Sequence, residues 1–369
     1  MINSFPGYSY ENGKNMYRGM DIGRGGHIYG KPGMYVNVAL LDAISMHPTS
    51  AICMNYFGDY TPRFKDLKDA RVYIKERQYD PVRHMFDGKL VRYLEDESTA
   101  DDLAQALKIA INSVYGLTSA SFVNPFRDSR NVNNIVALRG ALFMKTLQDH
   151  LTELGYNVIA IRTDSIKIAD ATQEAIDICM NMAKEYGYEF EHECTYDRIC
   201  LVNDAVYIAK YDDRGIRNKG GRHAGEWTAT GAQFQQGYVY KKLFSHEEII
   251  FEDLCETKEV KAAMYLDMNE GLSENEHEYQ FVGRVGQFCP IKSGCGGGEL
   301  LVKRDNKYSA VAGTKGYRWL ESEVVKQLSK EDDIDLSYYH RLVDEAIDAI
   351  SKFGDFEAFV GDNEYVSNA

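Results

Sequence analysis

No apolar run in this sequence approaches membrane-spanning length, and the opening "MINSFPGYSYENGKNMYRG" lacks the apolar core of a secretory leader. Both absences predict a soluble chain. The seven cysteines are scattered without one C-x-x-C pair, which excludes a zinc ribbon and a disulfide framework and fits a reducing cytoplasm. Histidines never pair at i, i+4, so no helical zinc site is signalled. Positive charge is short as well. A formal net charge of -14 argues against a generally basic nucleic-acid coat, yet it leaves room for an enzyme holding DNA in a local cleft. Internal repeats and low-complexity tracts are missing too.

What is present is ordinary globular material. The 369 residues, 44% apolar, suffice for one large domain or two to three subdomains, and 26 tyrosines suit stacking and groove surfaces as well as cores. Residues 1–33, rich in Gly and Tyr, read as loop. "MYVNVALLDAIS" (34–45) reads as a buried strand with Asp42 at its exit. Residues 61–93 carry nine Lys/Arg against five Asp/Glu. Phe64, Leu67 and Ile74 recur there at helical spacing, and Asp80-Pro81 reads as a break, which predicts a helical hairpin with a basic surface.

"STADDLAQALKIAINSVYG" opens with a capping-box pattern, Thr99 with Asp102, above a stripe of Leu103, Leu107, Ile111 and Val114. A long helix from Ile135 to Leu154 is stopped by Gly155. "NVIAIRTDSIKIAD" then alternates apolar and polar on both sides of Thr163-Asp164, a β-hairpin with a carboxylate at its tip. A helix over 172–186 and strands near 189–196 and 199–211 follow. The polar connector "DDRGIRNKGGRHAG" leads to a helical stretch at 229–245, acidic and polar segments, and a β-like section around "KSGCGGGELLVKRDNKYSAV". Helices at about 317–329 and 335–352 finish the chain.

Two constellations bear on chemistry. Asp42 and Asp164, if their strands are neighbours, offer two carboxylates to Mg²⁺, which takes oxygen ligands and leaves positions for water and phosphate. The same residues also fit a strand-end turn and an Asx-turn, and their pattern alone does not separate the readings. Lys108, Asn112 and Tyr115 stand at i, i+4, i+7, so a cation, an amide and a ring share one helix face. That set suits a nucleoside triphosphate, and equally a solvated face. "GCGGGE" at 294–299 lacks the Lys-Ser/Thr of a phosphate loop and reads as a turn.

Taken in order, these segments resemble the polymerase module of a family B DNA polymerase of the phage and mobile-element kind. "KIAINSVYG" is similar to motif B, K-x-x-x-N-S-x-Y-G, without a miss. Asp42, Ser45, Met46, His47, Pro48 and Thr49 resemble motif A, D-x-x-S-L-Y-P-S, and "AIRTDS" resembles motif C, Y-G-D-T-D-S. The likeness covers residues 20–211 well and the remainder in outline. It implies an α+β right-hand architecture with an antiparallel-sheet palm, helical fingers and a mixed thumb. The corresponding boundaries are a loop and palm strand over 1–60, fingers over 61–116, palm over 117–220 and a thumb-like region over 221–369.

The resemblance further implies template-directed addition of dNTPs to a primer 3′-OH. Asp42 and Asp164 would ligate two Mg²⁺ ions, with Mn²⁺ able to substitute. Backbone amides from Ala43, Ile44, Ser45 and Met46 would cradle the triphosphate, Lys108 would contact it and protonate the leaving group, and Asn112 and Tyr115 would line the base-pair pocket. His47 would lie under the sugar. Gly25 and Gly26 would let backbone approach the template strand, Thr163 would contact DNA, and Tyr207 and Lys210 would meet the primer.

Three departures stand out. The earlier Asp of motif C is Arg162, His47 replaces a sugar-excluding tyrosine, and Ala205 takes the lysine position of a K-x-Y element. The forty or so residues before Asp42 hold no exonuclease-like D-x-E element, so proofreading is expected on a separate chain, if anywhere. The alternative readings are a polymerase-like DNA-binding subunit working with a partner chain, and a two-carboxylate nuclease.

Overall fold

A computed structural model describes residues 7–21, 25–127, 134–212, 223–269, 271, 273, 276–304 and 307–361. The chain is a mixed α+β protein with antiparallel sheets. It divides into two compact units, Met1–Arg198 with Tyr211–Ala224 and Ile199–Lys210 with Gly225–Ala369.

The first unit begins with strands where the sequence reads as loop. β1 (Tyr8–Glu11), β2 (Lys14–Tyr17) and β3 (Met20–Asp21) form an antiparallel meander. Its two turns are Asn12-Gly13 and Arg18-Gly19, with all four residues at positive φ. Two successive left-handed residues match the twist of a tight hairpin, so the Asn-Gly pair was the overlooked signal. β4 (Ile28–Gly30) precedes β5 (Gly33–Ala43), and α1 (Met46–Cys53) follows.

The segment 61–93, expected as a basic helical hairpin, is one full helix, α2 (Thr61–Lys75), with the short α3 (Tyr79–Arg83) and single turns after it; α2 packs instead against α4 (Glu97–Thr118). The break falls before α3, not at Asp80-Pro81, because proline is tolerated in a first helical turn. α4 also starts earlier than Thr99. Asp96 is its N-cap, accepting from the Thr99 amide at 2.9 Å, and the hydroxyl of Thr99 donates to the same carboxylate. Ala70, Ile74, Ala100, Ala104 and Leu107 are buried together between α2 and α4.

α5 (Ile135–Glu153), β6 (Asn157–Arg162), β7 (Ser165–Ala169), α6 (Gln173–Glu185) and β8 (Phe190–Leu201, through Arg198) belong to this unit as well. The break expected between the runs 189–196 and 199–211 is displaced: β8 continues through 197–198 to Leu201. The sheet runs β8-β5-β7-β6-β4. Ala39, Leu41, Ile166 and Ile168 share a core with Phe143, Leu147 and Leu151 of α5 and with Ile176 and Cys179 of α6. Each Leu, Ile and Phe among them contributes roughly 1.5–3 kcal/mol on full burial. Because strand side chains alternate, Asp42 and Lys167 are displayed on the face opposite Leu41 and Ile166.

α1 meets α5 at Gly140, where an added Cβ would lie 2.5 Å from Met46 Sδ. Gly140→Val is expected to destabilise the protein by about 1–3 kcal/mol through overpacking. Urea titration checks this, and adding Met46→Ala should recover part of the loss.

The second unit contains β9 (Tyr207–Tyr211, through Lys210) paired with β10 (Trp227–Thr230), then the short helices α7 (Ala232–Gln235) and α8 (Gly237–Tyr240). The expected helix over 229–245 is therefore a strand end followed by short helical turns. β11 (Glu256–Asp267), β12 (Tyr279–Ile291), β13 (Glu299–Arg304), β14 (Lys307–Ala310) and β15 (Arg318–Glu321) form a sheet ordered β14-β13-β11-β12-β15. β11 and β12 replace the expected acidic segments. A register shift between Glu259 and Met264 interrupts the strict alternation that would have marked β11. α9 (Ser322–Gln327), α10 (Leu336–Ser351) and α11 (Phe356–Val360) follow, and 318–321 is strand, not the start of the expected helix. Trp319, Phe288 and Tyr339 anchor this unit's core. Most of the polar connector lies outside the described residues.

Candidate active site

The two aspartates come together because β5 and β7 are direct neighbours. Asp42 lies opposite Ser165 in the ladder, and the Ala43 N–H donates to the Asp164 carbonyl at 2.8 Å. Both side chains are half-buried and line one cleft of about 1350 Å³. No group of three or more His, Cys, Asp or Glu gathers as a metal cage among the described residues. Two carboxylates in an open cleft fit Mg²⁺, which usually takes one or two protein carboxylates and completes its shell with water and phosphate. They do not fit a structural zinc centre.

Ser45, Met46, His47, Lys108 and Asn112 line the same cleft, as do Ala43 and Ile44. The amides of Ala43 and Ile44 are already engaged, donating to the carbonyls of Asp164 and Glu189 at 2.8 Å each. That leaves the first turn of α1 for an anion. Ser45, at φ 53, caps α1 without a side-chain hydrogen bond, so the Met46 and His47 amides open the helix uncapped.

His47 stacks on Tyr115, ring centroids 5.0 Å apart and 18° from parallel, and the Tyr115 hydroxyl donates to Asn134 Oδ1 at 2.8 Å. Among the described residues His47 Nδ1 is buried without a hydrogen-bond partner. Burial lowers the His47 pKa below the usual imidazole value, and the Asp164 carboxylate opposes the shift. Lys167, only 8% exposed, is likewise lowered by burial, against the pull of Cys194, Glu193 and Asp42.

Gly26 lies against the hairpin tip and Gly25 faces open space, while Arg162 is exposed beside the turn. Tyr207 and Lys210 belong to the second unit. There the Tyr207 amide donates to Thr230 Oγ1 at 3.2 Å, and Lys210 Nζ sits 5.8 Å from the Trp227 ring.

No family model matches the sequence, and no curated protein matches it. Among solved structures, the chain is similar to the family B DNA polymerase from the hyperthermophilic archaeon Pyrobaculum calidifontis, with a TM-score of 0.46 and 16% identity. The similarity covers 88% of this chain and 46% of that one, so the chain spans less than half the length of that polymerase.

Sequence reasoning missed three cleft cations, Arg71 and Lys75 of α2 and Arg77 just past it. Arg71 is half-buried and donates from Nη1 to Ser45 Oγ at 3.2 Å, and burial lowers its pKa from the ordinary guanidinium value. The signal was a cation on the apolar face: Arg71 falls within the Phe64/Leu67/Ile74 stripe, four residues past Leu67, and Lys75 follows one turn later. Just past α2, Arg77 forks onto Asp101 of α4 at 2.8 and 3.0 Å, fixing the end of one cleft-lining helix to the other.

Proposed function

We propose that this chain is a template-directed DNA polymerase of the family B kind, transferring dNTPs to a primer 3′-OH. The observation that carries the reading is the convergence of Asp42 and Asp164 on one cleft with Lys108 and Asn112 of the motif-B-like helix. In this reading the first unit supplies the palm sheet and the α2–α4 fingers, and the second unit the thumb. Asp42 and Asp164 hold magnesium, which when bound neutralises phosphate charge and makes the attacking hydroxyl more acidic.

The chain's own residues do the rest. Lys108, Arg71 and the α1 amides bind and orient the triphosphate, and Lys108 delivers a proton to the departing pyrophosphate oxygen. Asn112 and the Tyr115–His47 stack form the floor of the base-pair pocket. Gly25, Gly26, Thr163, Tyr207 and Lys210 contact DNA. Rate comes from positioning and preset charge, and base choice from pairing with the template.

Primer extension by the purified protein is the test. Templated, dNTP-dependent extension supports the reading. DNA binding without extension supports a non-catalytic subunit, which the exposed Arg162 at the acidic position of motif C favours. Primer shortening without dNTPs supports a nuclease.

His47 gives a finer expectation. Imidazole is smaller than phenol, so a ribose 2′-hydroxyl is weakly excluded. His47→Tyr is expected to raise dNTP-over-rNTP discrimination by about tenfold or more, read from the two kcat/KM values. Equal discrimination in the two proteins refutes the assignment of His47 to the sugar.

A further inference from the structure

The turn presenting Asp164 is strained. Thr163, a β-branched residue, sits at φ 59, in the left-handed region that such side chains avoid. A residue of this kind persists only where its surroundings over-determine it.

The restraint comes from the Gly25–His27 segment. The Thr163 amide donates to the His27 carbonyl at 3.0 Å, and Ile28 pairs with Arg162 in the ladder. A Cβ built on Gly26 would lie 2.6 Å from both Oγ1 and Cγ2 of Thr163, so only glycine lets this backbone press against the turn. His27 is itself tethered. Its ring, 8% exposed, places Nε2 2.8 Å from Oε1 of Gln148, which is 9% exposed on α5. With Oε1 as acceptor, His27 donates from Nε2. Gln148 lies between Leu147 and Leu151, both fully buried, so its amide is fixed to the most deeply packed part of the unit.

We infer that Gln148 and His27 are positioning residues for Asp164, carrying the rigidity of α5 to the metal-facing turn through the Thr163 backbone. The catalytic consequence rests on the proposed function, whereas the mechanical link does not. Losing the acceptor leaves the His27 donor buried and unpaired, a state relieved by moving the segment that pins Thr163.

The experiment compares Gln148→Leu, which keeps the bulk but loses the acceptor, with Gln148→Glu, which keeps an acceptor oxygen. Hydrogen–deuterium exchange over a peptide spanning 158–168 reads the link directly. Gln148→Leu is expected to speed exchange at the turn about tenfold while amides in the middle of α5 stay protected, and Gln148→Glu to match the unsubstituted protein. Mn²⁺ binding, followed by electron paramagnetic resonance, is expected to weaken several-fold in Gln148→Leu alone. Primer extension should show a lower kcat with KM for dNTP unchanged.

Unchanged turn exchange in Gln148→Leu overturns the inference, as does a Gln148→Glu protein no better than Gln148→Leu. If Gln148→Leu does not fold, Gln148→Glu decides: protection equal to or above the unsubstituted protein supports the link, and about tenfold faster exchange overturns it. Accelerated exchange and weakened Mn²⁺ binding in a protein that extends no primer sink the polymerase reading and leave the positioning link standing.

Discussion

Asp164→Asn is expected to lower templated primer extension by at least about a thousandfold, and Asp42→Asn to do the same. Asparagine preserves side-chain shape, and two backbone bonds help to seat Asp164 in the turn. Its amide donates to the Arg162 carbonyl at 2.7 Å, and its carbonyl accepts from the Ala43 amide. Each substitution therefore removes one negative charge from the cleft while keeping the side chain's shape. A cation that depends on carboxylate oxygens loses half its protein anchorage in either variant. Asp170→Asn is the control: this exposed aspartate lies past the far end of β7 and should extend primers normally. Single-turnover extension at saturating DNA checks all three. Less than a tenfold loss in Asp164→Asn would exclude the pair from the chemistry.

Much of this site was legible in the sequence because its parts are local. Period-2 alternation located β6 and β7, the polar tip fixed Thr163-Asp164 as the turn, and helical spacing put Lys108 and Asn112 on one face of α4. The β5–β7 pairing is a long-range fact that no local pattern states. It entered as a condition on the aspartates, and the ladder opposite Ser165 supplies it. The fate of the Ala43 and Ile44 amides was hidden for the same reason, since their acceptors lie on other strands. Arg71 and Lys75 were counted as surface charge, because sequence alone does not say which side of a basic helix faces a cleft.

The misreadings elsewhere share a cause. The Asn12-Gly13 hairpin was obscured by the density of glycine and tyrosine around it. β11 carries charged residues on its exposed positions and a register shift within it, so neither composition nor periodicity marked it as a strand. β15 was absorbed into the following helix because its four residues run directly into Ser322. In each case the deciding partner was distant in sequence.

Arg71→Ala is the second large effect. It is expected to raise KM for dNTP by about ten- to a hundredfold with a smaller change in kcat, the pattern of lost uniform binding. The guanidinium is half-buried, donates to Ser45 Oγ, and lines the cleft beside the uncapped start of α1. Burial lowers its pKa, but from so high a starting point that the group keeps its charge at neutral pH. A charged fork in a partly desolvated cleft binds phosphate oxygens more strongly than an exposed lysine does. Arg71→Lys should therefore restore only part of the loss, since one ammonium cannot span two oxygens. Lys108→Ala should differ in kind, lowering kcat about a hundredfold, if Lys108 is the proton donor proposed for the departing pyrophosphate. Steady-state kinetics across dNTP concentration separate the two. If Arg71→Ala lowers kcat with KM unchanged, Arg71 acts on the chemical step, and the assignment of α2 to triphosphate binding fails.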